Sequence, residues 1–74
     1  MRACVIYRNS EDNVCLSFAR EIDGNPKIVK IADFDEIAKN CEDCDVIFLR
    51  DIDTLHGNLP KFLRKIGKKV VVIK

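Results

Sequence analysis

Two runs of four consecutive apolar residues, Val46-Ile47-Phe48-Leu49 and Val70-Val71-Val72-Ile73, constrain this chain more than any other feature of its sequence. A strand with one face in water alternates apolar and polar side chains. An unbroken run bounded by charge therefore predicts a strand buried on both faces, as in a parallel sheet covered by helices. The first run lies between Asp45 and the segment Arg50-Asp51-Ile52-Asp53. It reads as a central strand that opens into an Asp-x-Asp turn.

The remaining segments alternate in period. Residues 3–7 form a short apolar strand. Ser10 then caps a helix whose first turn carries Glu11 and Asp12, acids that complement the helix dipole. Cys15, Phe18, Ala19 and Ile22 fall at i, i+3, i+4 and i+7 and predict its buried face. Asp23-Gly24-Asn25-Pro26 stops this helix, and residues 27–32 form a second strand in which Lys30 suits a sheet edge. Asp33 and Glu36 make a capping-box pair for a second helix, whose stripe is Phe34, Ile37, Ala38 and Cys41. After the strand at 46–49 and a loop over 54–58, Asn58 caps a third helix with Pro60 in its first turn. Leu59, Phe62, Leu63 and Ile66 form its apolar stripe, and Gly67 ends it before the last strand at 70–73.

The pattern is βαβαβαβ over one α/β domain, residues 1–74. Right-handed crossovers predict a four-stranded parallel sheet in the order 2-1-3-4, with one helix on one face and two on the other. That arrangement leaves strands 3 and 4 uncovered beside the first helix. An exposed apolar half-face of this kind predicts a homodimer that buries it. No apolar run is long enough for a membrane span or a signal peptide, so a cytoplasmic, reducing location is expected. Charge is uneven: residues 33–53 hold eight acids against two bases, and residues 61–74 hold six bases and no acid. Two solvated faces of opposite sign account for this pattern most simply.

Ligands of open parallel sheets sit beyond the strand C-termini where strand order reverses, here between strands 1 and 3. That crevice gathers Ser10, Asp12, Asp33, Asp51 and Asp53 as candidates for binding phosphate or a hard cation such as Mg²⁺. A bound cation would activate water or stabilise a phosphoryl group. The same acids also serve as helix caps and turn formers.

At the level of fold, this order resembles the opening of flavodoxin-like and receiver-like domains. The segment 46–53 with its Arg50-Asp51-Ile52-Asp53 end, and the acidic helix start Asp33-Phe34-Asp35-Glu36-Ile37, resemble PIN-like nucleases. That resemblance implies Asp33, Asp51 and Asp53 as metal ligands. It also implies an acid at the end of strand 1, where this chain has Tyr7-Arg8 and the nearest acids are Glu11 and Asp12. Asp-x-Asp after a strand is similarly found in Toprim domains and haloacid-dehalogenase-type phosphatases. In a receiver, Asp51 would accept the phosphoryl group. The first turn, residues 7–13, is similar to a flavodoxin phosphate loop, but it lacks glycine and carries two acids, so no flavin is expected.

Cys41-Glu42-Asp43-Cys44 is a lone C-x-x-C at a helix C-terminus. With acids around it, the local field disfavours thiolate. Cys4 is expected at the same sheet edge, giving three thiols as redox or metal candidates; Cys15 and His56 lie elsewhere, so a fourth zinc ligand is lacking. Buried structural thiols, or a Cys41–Cys44 disulfide on oxidation, are expected. Lys61, Arg64, Lys65 and Lys68 could contact nucleic-acid phosphates, but no exposed aromatic is interleaved with them and a solvated face is favoured. No cofactor is predicted beyond a possible Mg²⁺. Two classes stay open: a small dimeric binding or regulatory module, and a divalent-metal phosphoesterase or nuclease.

Overall fold

The computed structural model describes residues 1–8 and 13–74, and the expected Ser10 cap with Glu11 and Asp12 lies outside them. Strand β1 (Ala3–Tyr7) is followed by α1 (Asn13–Arg20), β2 (Lys27–Lys30), α2 (Phe34–Asn40) and β3 (Val46–Arg50). A single 3-10 turn (Asp51–Asp53), α3 (Asn58–Lys65) and β4 (Lys69–Ile73) complete the fold. All strand pairs are parallel, in the order β2-β1-β3-β4. The two apolar runs are thus neighbours, with Ile47 opposite Val70 and Phe48 opposite Val71. No helix among the described residues is long and apolar enough to cross a membrane.

Two apolar layers sandwich the sheet. On one face α2 and α3 pack Ile37, Cys41, Leu59 and Leu63 against Cys4, Ile6, Val29, Ile47 and Leu49. Phe34 of α2 stacks on Phe62 of α3, with ring centroids 4.8 Å apart. On the other face α1 packs Cys15, Leu16 and Ala19 against Ala3, Val5, Val46 and Phe48.

Three expectations are corrected. First, β3 is not open on the α1 face: Val46 and Phe48 are buried there, and the exposed apolar strand positions on that face are Val71 of β4 and Ile28 of the opposite edge strand, β2. A helix about 10–12 Å wide spans two strands about 4.8 Å apart, and the small residues Cys15 and Ala19 let α1 settle over β1 and β3 together. Second, α1 buries Leu16 and leaves Phe18 48% exposed, because its inner line runs through residues 15, 16 and 19, while Ile22 lies beyond the helix end at Arg20 and is 44% exposed. Third, Gly57 with φ 83° occupies the cap of α3, and Asn58 is already helical.

Local chemistry explains the other ends. The Asp33 carboxylate accepts from the Glu36 N–H at 2.9 Å and caps α2. After α3, Gly67 takes φ 90°, donating its N–H to Arg64 O while the Lys68 N–H reaches Leu63 O, a Schellman ending. The β2 ladder runs one bond past its assigned end, Ile31 N–H to Tyr7 O.

Candidate functional site

The C-terminal edge of the sheet carries the expected crevice. An open cleft of about 530 Å³ is lined by Arg8, Asp51, Ile52, Thr54, Leu55 and His56. Arg8 follows β1 directly, and the 3-10 turn follows β3, so the cleft straddles the point where strand order reverses. The Thr54 hydroxyl donates to Asp51 O at 3.0 Å and accepts from the Gly57 N–H at 3.3 Å, which fixes the floor of the loop. Leu55, His56 and Gly57 all lie in the left-handed region, with φ of 54°, 60° and 83°. For the two non-glycine residues that conformation costs about 1 kcal/mol each, and it lays the exposed His56 along the cleft.

Among the described residues, the acids of this edge do not converge. Asp53 is buried, and its carboxylate pairs with the Arg8 guanidinium, Nε to Oδ1 at 3.5 Å. Asp33 is committed to the α2 cap, while Asp51 is exposed on the cleft rim. Ser10 and Asp12 fall outside the described residues. Among the described residues, no group of three or more His, Cys, Asp or Glu side chains is arranged to hold a metal ion. Where the PIN-like resemblance implies an acid, this chain supplies the base that neutralises Asp53. Opposite charges just past the ends of neighbouring parallel strands were the sequence signal for that pair.

The opposite edge of the sheet gathers the thiols. Cys4 in β1 lies 3.5 Å, sulfur to sulfur, from Cys41 at the C-terminus of α2. The turn from Cys41 closes with the Cys44 N–H on Cys41 O at 3.0 Å, which brings Cys44 beside the same pair. All three are buried and reduced, and Cys15 belongs to the other face of the sheet. The Cys44 thiol is pushed up chiefly by burial, and the acidic field inferred from sequence enters only as a smaller contribution from Asp43. That field does not prevail at Cys41. A hydrogen bond from Cys4 pulls its thiol below the ordinary range, and the Lys27 and Lys68 ammonium groups add to that pull against burial. The same hydrogen bond, reinforced by burial, pushes the Cys4 thiol up.

Lys68 has a structural engagement that its place in a basic run did not suggest. Its Nζ donates to Glu42 O at 2.9 Å and Cys44 O at 2.8 Å, pinning the C-x-x-C turn. Lys61, Arg64 and Lys65 are exposed on the outer side of α3. Comparison with models of protein families, with curated proteins and with solved structures found no match.

Proposed function

We propose that this chain is a small cytoplasmic α/β binding or regulatory module that works as a homodimer. On this reading it is an abbreviated version of the flavodoxin-like and receiver-like design, and its ligand cleft is the one lined by Arg8, Asp51, Thr54 and His56. The observation that carries the proposal is the β4 border. This edge strand reads Lys-Val-Val-Val-Ile with no proline, and Val71 is 37% exposed on the α1 face. The other edge strand, β2, also carries lysines at its ends and exposes Ile28 by 39%, so what sets β4 apart is its longer apolar run, Val70 to Ile73.

The apolar character continues from β4 onto α1. Val14 and Phe18 flank the buried line of α1 on the side away from Leu16. With right-handed crossovers, the sense of the helix turns that flank toward β4. Ile73 already packs against the α1 cluster from that side.

A second copy is the occupant that fits. Antiparallel pairing of two β4 strands about Val71 would join two sheets into one of eight strands. It would set Lys69 opposite the partner's Ile73, while just beyond the strand ends Lys74 would face the partner's Lys68, whose ammonium is held by Glu42 O and Cys44 O. The two α1 helices would then wall a trough floored by Val71 and Ile73. Sedimentation equilibrium from low to high micromolar protein tests this. A dimer is expected, with Val71→Lys shifting it to monomer while leaving the circular dichroism spectrum unchanged; a wild-type monomer at high micromolar concentration would overturn the proposal.

The divalent-metal phosphoesterase reading is less well supported, because Arg8 occupies Asp53. Titration with Mg²⁺ or Mn²⁺ followed by backbone amide shifts separates the two readings. Shifts centred on Arg8, Asp51 and Asp53 would favour the enzyme, and their absence would favour the module.

A further inference from the structure

The geometry points to a reversible disulfide between Cys4 and Cys41, formed in the folded protein by a peroxide, as a redox-modification site. The two sulfurs stand in contact at 3.5 Å although their residues are 37 apart in sequence. Closing that distance to a covalent bond of about 2.05 Å needs a shift of about 1.5 Å, within reach of side-chain rotation and small backbone adjustment. Cys41–Cys44 is the pair a C-x-x-C motif suggests, but the 3.5 Å sulfur contact is the long-range one between Cys4 and Cys41.

The surroundings assign the two thiols different roles. Cys41 shares a hydrogen bond with Cys4, and the ammonium groups of Lys27 and Lys68 favour charge on it while Asp43 opposes it. Cys41 is therefore the sulfur that attacks once deprotonated, and Cys4, in contact with it, is the resolving thiol. The Cys41 thiolate attacks one peroxide oxygen. A sulfur–oxygen bond forms, the oxygen–oxygen bond breaks, and hydroxide leaves with the electron pair and takes the Cys41 proton from solvent as water. The Cys4 sulfur then attacks the Cys41 sulfur, the sulfur–sulfur bond forms, and the hydroxyl leaves with the Cys4 proton as a second water. Two thiols and one peroxide give one disulfide and two waters.

Both thiols are buried, so the reaction waits for opening of the turn that carries Cys44. That turn is closed by its own Cys44–Cys41 backbone bond and by the Lys68 ammonium. Cys15, behind the sheet under α1, is an internal control.

The test treats the folded, reduced chain with stoichiometric hydrogen peroxide, blocks free thiols and maps disulfides by mass spectrometry without reduction. Cleavage after Glu42 separates Cys41 from Cys44. A two-dalton loss with a Cys4–Cys41 crosslink, reversed by a dithiol, is expected, together with an unchanged Cys15. In Cys4→Ala the crosslink should vanish and a Cys41 sulfenic acid should become trappable by a 1,3-dione. A dominant Cys41–Cys44 crosslink, a Cys4–Cys41 link formed only in denaturant, or three unmodified thiols would each overturn the inference. The readout does not depend on oligomeric state, so its failure leaves the dimer proposal standing.

Discussion

Arg8 and Asp53 show how one side chain decides what an acidic edge can do. A buried carboxylate without a partner loses hydration and gains nothing in return. Here the guanidinium of Arg8, itself half exposed, sits against it. Because solvent screens the pair, Arg8→Ala should cost only about 1 kcal/mol, seen as a lower urea midpoint with an unchanged slope. Asp23 works by a different route: its carboxylate accepts from the Ala3 and Asn25 N–H groups at 3.0 Å each, with Arg2 nearby. The Ala3 bond, then the Asn25 bond, hold its carboxyl below the usual carboxylate range. The folded value being the lower one, this stabilisation is complete above about pH 4, the unfolded value, and is lost as pH falls through the folded value. Asp23→Asn should therefore be less stable than wild type at pH 7, with the gap closing below about pH 4 in urea titrations at each pH. Neither pairing could be read from composition. Asp23 looked like a turn residue, and that it also receives the first N–H of β1 depends on where the chain returns.

Among the elements, α2 keeps its stripe, and α3 buries Leu59 and Leu63 with Phe62 half-buried, but Ile66, past the end of α3, is 41% exposed. The stripe of α1 misled in part, since Phe18 belongs to the apolar set but lies off the helix's inner line, and Ile22 falls past the helix end at Arg20. Period reveals which side chains share a face, not how much partner surface lies under them. The end of α3 was legible, since only glycine takes φ 90° without strain. A Cβ at Gly67 would meet no atom within 4 Å, so Gly67→Ala should lose about 1 kcal/mol from backbone strain alone. Gly24→Ala, equally open and without a positive φ, should be neutral or slightly stabilising. Paired urea unfolding of the two variants checks the contrast. By comparison, the left-handed run at Leu55 and His56 carried little sequence signal, because leucine does not favour that conformation and a single histidine only weakly marks it.

At the scale of the molecule, strand order and the split of helices between faces followed from alternation and handedness alone. The extent of the open face did not, because it depends on how widely α1 sits over β1 and β3. If the β4 border joins two copies, the thermal midpoint should rise with protein concentration in the wild type and stay flat in Val71→Lys, as calorimetry over a tenfold range would show. The place of β1 has a further consequence, in the order of events during synthesis. It is first in sequence yet interior in the sheet, with Ala3 opposite Val46, so one side of it stays unpaired until β3 is made. At about 5–20 residues per second, the 20 residues separating the end of β2 from the end of β3 take about 1–4 s. During that interval a nascent chain carries a half-built sheet with an unsatisfied inner edge, an invitation to chaperones. Protease resistance in ribosome-stalled chains should accordingly appear only once residue 50 has emerged.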